Sequence, residues 1–217
     1  MLLMRPKQWI KNGFVLAPLI FTGQFLSMPM VGRSLLAAFL FCMASSATYI
    51  VNDIHDLDRD RRHPIKSKKR PLAAGVISVP TALSILGFLY VVIICGFFIA
   101  TEVAIVILGY LLLNLAYTFV LKHQPVVDIF TIAIGFVLRV VAGAVALDVP
   151  VSGWMLVTTL CLALYLAAVK RRQELSQSGI EGRKVLEKYS VALVDRYAEM
   201  SATGALVFYR IFVLSDR

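Results

Sequence analysis

The sequence predicts an all-α protein, a polytopic bundle of transmembrane helices, and three observations carry that prediction. Its 217 residues are 59% hydrophobic and only 16% charged, against roughly 45–50% and 25% in soluble domains. The apolar residues gather into seven runs, each near the ~20 residues that cross a bilayer core. The basic residues collect between those runs, and almost all on one side of them.

The first run, roughly 13–31, follows Arg5, Lys7 and Lys11 and contains Pro18, Gly23 and Pro29. No small-residue cleavage site closes it and further runs follow, so it reads as a retained first helix rather than a signal peptide. The second run, 34–51, ends abruptly at Asn52. The third and fourth, 80–101 and 103–121, are separated by little more than Thr101 and Glu102. The fifth, 126–147, carries Arg139 near its middle. The sixth, 151–169, ends at Lys170, and the seventh, 198–214, is short and contains Arg210. Cys42, Cys95 and Cys161 all fall inside apolar runs with no close pair, which suits reduced, buried cysteines rather than a disulfide or metal role.

Of the 22 Lys and Arg, 18 lie on one side if the helices alternate direction, and the opposite loops hold only Arg33. The positive-inside rule therefore places the N-terminus and the even-numbered loops in the cytoplasm. The loops on that side, 52–79 and 170–197, are long and polar, whereas the outer connections are a few residues each. A net charge of +9 distributed in this way suits phosphate-bearing ligands or anionic headgroups, and argues against nucleic acid as a partner.

Residues 49–60, YIVNDIHDLDRD, place four aspartates within eight positions at the cytoplasmic end of the second run. If the helix continues, Asn52, Asp56 and Asp60 drift by only 40° per step, and Asp53 lies within 60° of Asp56, so these four share a face while Asp58 points away. Carboxylates stacked in this way repel unless a cation sits among them. Hard oxygen ligands suit Mg²⁺, usually held by one or two carboxylates together with substrate phosphates. The alternative is a solvated helix end whose acids pair with Arg59, Arg61 and Arg62. The adjacent basic stretch, Arg61 to Arg70, favours the first reading, because metal plus cations is how proteins grip diphosphates.

Asn52-Asp53-x-x-Asp56-x-x-x-Asp60 resembles the NDxxDxxxD motif of the UbiA-type intramembrane prenyltransferase superfamily, and His63-Pro64-x-Lys66, Arg70-Pro71-Leu72 and Gly75 are similar to the stretch that follows it there. The opening Arg5-Pro6-x-Gln8-Trp9-x-Lys11-Asn12 and Tyr117-x-x-x-Leu121-Lys122 extend the resemblance over nearly the whole chain. It implies a helical bundle with a cytoplasmic-side active site. It also implies a single UbiA-like domain with nine spans, of which this chain shows seven, so the C-terminal helices are expected to be missing.

Aromatic-prenylating members carry a second aspartate-rich motif after the sixth helix. Here that position reads Lys170-Arg171-Arg172-Gln173-Glu174-Leu175, with one carboxylate left and three cations before it. The sequence thus resembles the branch that attaches phosphoribose to polyprenyl phosphate, the decaprenyl-phosphate phosphoribosyltransferases. That branch implies transfer of 5-phosphoribose from phosphoribosyl diphosphate to a polyprenyl phosphate lipid, with release of diphosphate. Asp53, Asp56 and Asp60, assisted by Asn52, would hold Mg²⁺. Arg5, Lys11, Lys66 and Arg70 would neutralise phosphate charge, and Lys122, Lys170, Arg171 and Glu174 would serve the substrate. KRRQEL read alone is also an ordinary basic stop after a helix.

Arg139 at membrane depth should face a polar cavity or a partner. Asp128 lies eleven residues earlier, about 16 Å along the axis, too far to pair with it on one helix. Asn114 and Tyr117, one turn apart, suit the same cavity, although Asn114 equally suits an interhelical hydrogen bond. His55, His63 and His123 show no carboxylate partner, in keeping with an acceptor phosphate that is already ionised and needs no general base. Two rival readings stay open. One is prenyl transfer from a prenyl diphosphate, which the missing second acidic motif disfavours. The other is an ion-coupled transporter, disfavoured by the absence of repeats and by acids at a membrane edge rather than at mid-membrane.

Overall fold

A computed structural model describes residues 2–178 and 188–215, and no β-strand occurs among them. The helices are α1 (Ala17–Phe21), α2 (Met28–His55), α3 (Leu57–Arg62), α4 (Lys66–Lys69), α5 (Val79–Ile99), α6 (Thr101–Phe119), α7 (Val127–Ala146), α8 (Gly153–Ser178) and α9 (Val191–Ser215). Five of them, α2 and α5 to α8, are long and apolar enough to cross a membrane. The chain is an all-α, polytopic integral membrane protein. Phe88, Val91, Ile94 and Phe98 on α5 are exposed, as lipid-facing residues are.

Two of the seven expected spans take other forms. Residues 13–31 form no single helix. A 3₁₀ segment over Pro6–Leu16 leads into the five-residue α1, Gly23 adopts φ 69°, and α2 begins at Met28. Pro18, Gly23 and Pro29 interrupt the run, and the apolar residues they separate are shared between a short cap and the start of α2. The final run belongs to a longer helix, α9, whose first turns carry Asp195, Arg196 and Glu199.

The described residues gather into two compact units. The first comprises Met1–Leu112 with Ala142–Asp148. Its centre is α2, where Ala37, Leu40, Phe41, Ala44, Ala47 and Ile50 are buried, and small residues there admit close neighbours. Phe41 meets Tyr110 with ring centroids 4.9 Å apart. A Cβ on Gly96 of α5 would fall 2.5 Å from Leu40 Cδ2, and one on Gly143 would fall 1.9 Å from the Val15 carbonyl oxygen. At Gly143 one backbone lies directly on another, so only glycine fits.

The N-terminal 3₁₀ segment is stitched along α2 by polar side chains. Trp9 Nε1 donates to Ser46 Oγ at 3.1 Å, Ser46 Oγ donates to the Met4 carbonyl at 3.0 Å, and Asn12 Nδ2 donates to Ser45 Oγ at 3.1 Å. Asn12 Nδ2 also lies 3.2 Å from Cys42 Sγ. All three cysteines are free thiols, Cys42 and Cys161 half-buried and Cys95 exposed.

The second unit comprises Leu113–Val141 with Val149–Arg217. Its α8 and α9 run antiparallel: Trp154 at the start of α8 stacks on Phe208 late in α9, while Arg172 near the end of α8 bonds Asp195 near the start of α9. Ile129, Ala167, Ala168, Tyr189 and Val194 form its buried centre.

Candidate active site

The aspartate motif folds as its spacing predicts. The turn at Asp56 (φ −91°, ψ 6°) divides α2 from α3, yet the hydrogen bonds continue through it. The Asp56 N–H donates to the Asn52 carbonyl and the Asp60 N–H to the Asp56 carbonyl, both at 2.9 Å. Asn52, Asp56 and Asp60 therefore stay in register on one face. Asp53, Asp56 and Asp60 are buried, Asn52 is half-buried, and Asp58 is exposed.

Cations converge on this face from three segments. Arg5 Nη2 donates to Asp53 Oδ1 at 2.5 Å, and its guanidinium lies over the Tyr49 ring, 5.0 Å from the centroid. Arg70, held just after α4, donates through Nη1 to Asp53 Oδ1 at 2.9 Å and also to Asp60 Oδ2. Lys66 Nζ stands 3.9 Å from Asp60 Oδ1, an ion pair without a hydrogen bond. Arg59 donates to Asp56 Oδ2 at 2.9 Å. His55 Nδ1 lies 3.2 Å from Asp56 Oδ1, so His55 does meet a carboxylate, contrary to expectation. That contact joins adjacent residues, a proximity that comes from the chain itself.

His63 Nδ1 accepts the backbone N–H of Ile65 at 3.2 Å and of Lys66 at 3.4 Å, fixing the turn that brings Lys66 and Arg70 back toward α2. Burial, and then the positive charge of Lys66, hold the His63 imidazole below its ordinary value of 6.5. A neutral ring is the form that can accept these bonds.

The cluster leaves two oxygens without a hydrogen bond. Asp53 Oδ2 and Asp60 Oδ1 are buried and have no hydrogen-bond partner, although each side chain is only 1% exposed. Buried polar atoms are ordinarily bonded, so these oxygens on two carboxylates that share Arg70 have room for a further partner, a bound ion among them. Mg²⁺ commonly takes one or two carboxylates and completes its octahedron with water and phosphate oxygens, and this pair supplies that number of carboxylates. Among the described residues no group of three or more His, Cys, Asp or Glu is arranged to enclose a metal unaided. The expected four-residue set Asn52, Asp53, Asp56 and Asp60 thus divides: Asp53 and Asp60 are joined through Arg70, while Asp56 turns to Arg59 and His55.

In the second unit the basic residues at the end of α8 pair with acids. Arg171 is 1% exposed. Its Nε donates to Asp128 Oδ2 at 2.9 Å, its Nη2 stands 2.7 Å from the same oxygen without hydrogen-bond alignment, and its Nη1 bonds Glu174. Tyr189 completes the knot. Its hydroxyl donates to Asp128 Oδ1 at 2.6 Å and accepts the Val126 N–H at 2.6 Å. Val126 has φ 70°, rare for a β-branched residue, and the tyrosine holds it there. Arg171 and Glu174, expected at the substrate, are structural partners in this arrangement. Lys170 remains largely exposed, 3.9 Å from Glu174.

Arg139 is buried and bends back along its own helix, donating to the Gly135 carbonyl at 2.6 Å and lying 5.3 Å from the Phe136 ring centroid. Lys122 is buried on a 3₁₀ turn, and Asn114 and Tyr117 are half-buried on α6. Lys11 is half-buried on the N-terminal segment. Asp128 and Tyr189 were not expected to carry any role. The signal for Asp128 was a lone acid opening an apolar helix, which demands a partner; its spacing from Arg139 excluded only one candidate.

A profile of the UbiA prenyltransferase family matches residues 15–211. The chain is 38% identical to the decaprenyl-phosphate phosphoribosyltransferase of Mycolicibacterium smegmatis, over 97% of this chain and 69% of that protein. It is 36% identical to the protein of the same name from Mycobacterium tuberculosis, over 96% of this chain and 71% of that one. A solved structure of a UbiA homologue from Archaeoglobus fulgidus, bound to DMAPP and Mg²⁺, superposes with a TM-score of 0.70 at 18% identity, covering 98% of this chain and 76% of that one. The same homologue bound to GPP and Mg²⁺ gives 0.71. Motif, helical architecture and relatives agree, and the chain belongs to the UbiA prenyltransferase family.

Proposed function

We propose that the protein transfers 5-phosphoribose from phosphoribosyl diphosphate to a polyprenyl phosphate of the decaprenyl type within the membrane, releasing diphosphate. The observation that carries this reading is the 36–38% identity, over nearly the whole chain, to relatives named for that reaction. The buried Asp53–Asp60 pair with Arg5, Arg70 and Lys66 around it supplies a matching anion- and metal-binding device. The distribution of basic residues supports a cytoplasmic placement of that cluster and of the N-terminus.

In the reaction an oxygen of the lipid phosphate forms a bond to ribose C1 while the C1–O bond to diphosphate breaks, and the bonding pair leaves with the diphosphate. Asp53 and Asp60 would hold Mg²⁺ through the oxygens that lack a hydrogen bond, and its charge would offset that of the departing diphosphate. Arg70 fixes the spacing of the two carboxylates. Lys66 and Arg5 stand where a diphosphate approaching them meets fixed positive charge, which counts most as charge accumulates on the leaving group. The acceptor is anionic at neutral pH, so no side chain has to remove a proton, and His63 is committed to backbone N–H groups.

Membranes containing the protein, given labelled phosphoribosyl diphosphate, decaprenyl phosphate and Mg²⁺, should form a phosphoribosyl lipid, and Asp53→Asn should lower that rate by at least about a hundredfold. Undiminished transfer by Asp53→Asn would remove the metal assignment.

A further inference from the structure

Arg5 holds one oxygen of the carboxylate whose other oxygen a metal ion would take. It bonds Asp53 Oδ1 at 2.5 Å, on the same carboxylate whose other oxygen is orphaned. Arg70 binds that oxygen too, but it also bonds Asp60 and so ties the two carboxylates together. Among the described residues the Arg5 side chain hydrogen-bonds only Asp53; it reaches it from a separate segment and is the more exposed of the two, 27% against 17%. Its backbone is left-handed, with φ 51° and ψ 59°, a conformation uncommon outside glycine, and Tyr49 supports the guanidinium from one face. The arm is therefore pre-set on Asp53 rather than falling there by chance.

Charge balance sets which ligands the cluster accepts. Three carboxylates, Asp53, Asp56 and Asp60, already face four cations, Arg5, Arg59, Lys66 and Arg70, so the cluster's own side chains leave it no excess negative charge. A divalent ion entering alone would meet a guanidinium a few ångströms away and be repelled. A diphosphate arriving with the ion offers the guanidinium fork a better partner, because two parallel N–H groups match a phosphate edge.

We infer that Arg5 is an exchange arm: it holds Asp53 against a bare divalent ion and moves to the donor's diphosphate when ion and diphosphate bind together. Metal and diphosphate then bind synergistically, and each strengthens the other by the same factor. This regulation rests on the proposed metal-dependent reading of the same cluster. It makes the donor's phosphates, rather than ambient Mg²⁺, the trigger that assembles the site.

The test uses the purified full chain in nanodiscs. Mn²⁺ alone is titrated and counted by electron paramagnetic resonance, and retention of ³²P-labelled inorganic diphosphate is measured by equilibrium dialysis with and without Mg²⁺. Arg5→Gln should bind Mn²⁺ alone about tenfold more tightly than the unaltered protein, and should lose about tenfold of the Mg²⁺ enhancement of diphosphate retention. Arg5→Met, which keeps the stem over Tyr49 and removes only the charge, should repeat both effects if Arg5→Gln folds poorly. Mn²⁺ affinity that is unchanged or weaker in both variants would overturn the exchange arm and leave the metal site standing. An unaltered protein that neither binds Mn²⁺ nor retains diphosphate in response to Mg²⁺ would overturn both readings.

Discussion

Replacing Asp128 with alanine takes away one of the two carboxylates paired with Arg171, a side chain only 1% exposed. Asp128 accepts the Arg171 Nε at 2.9 Å and the Tyr189 hydroxyl at 2.6 Å. Its loss leaves a buried guanidinium with Glu174 as its remaining carboxylate and a phenol without an acceptor. Removing one partner of a buried ion pair costs about 3–5 kcal/mol. A chain of this size loses about 2–4 °C of Tm per kcal/mol, so Asp128→Ala should melt about 6–20 °C below the parent in detergent, measured by circular dichroism. The second arm is more telling. Asp128→Ala with Arg171→Met removes both charges together, and buried pairs replaced by apolar residues are often neutral. The double variant should recover at least half of the lost Tm. Asp128→Ala melting with the parent, or a double variant no better than the single, would show that Arg171 is not held by this pair.

Three further outcomes are expected from the geometry. Gly143→Ala would place a Cβ 1.9 Å from the Val15 carbonyl oxygen, so it should be destabilised by at least about 2 kcal/mol as overpacking against backbone, whereas Gly153→Ala, which meets nothing within 4 Å, should melt like the parent; equal Tm values would refute the contact. The His63 imidazole should titrate below its ordinary 6.5 by NMR, with the signal assigned through its loss in His63→Gln. Because the folded state then binds fewer protons than the unfolded, stability is present above pH 6.5 and falls as the pH drops toward the lowered value; a midpoint above 6.5 would contradict the accepting role of Nδ1. Tyr189→Phe should cost about 1–3 kcal/mol, since the Val126 N–H and Asp128 each lose a partner, and hydrogen exchange at Val126 should accelerate if the bond is as described.

The helical period made the aspartate face legible before any coordinates: Asn52, Asp53, Asp56 and Asp60 share it, and Asp58 does not. Hydropathy likewise located the five long spans. Partners were not legible, because they are separated in sequence. Arg5 meets Asp53 across 48 residues and Arg171 meets Asp128 across 43, and no local pattern encodes such a pairing. The KRRQEL stretch shows the same gap. Its charge suggested three cations offered to phosphate, yet Arg171 turns inward to Asp128 and Glu174, and Arg172 to Asp195. Residues 13–31 depart from expectation for a different reason. Their summed apolarity matches a span, while Pro18, Gly23 and Pro29 act on backbone geometry that hydropathy does not count.

Competition between donors distinguishes phosphoribosyl diphosphate from a prenyl diphosphate. Purified protein receives equimolar phosphoribosyl diphosphate and prenyl diphosphate with decaprenyl phosphate and Mg²⁺, and the lipid products and released diphosphate are quantified together. One phosphoribosyl lipid should form per diphosphate released, and both should be lost when the metal is chelated. Prenylated product, or diphosphate release without phosphoribosyl lipid, would contradict phosphoribosyl transfer.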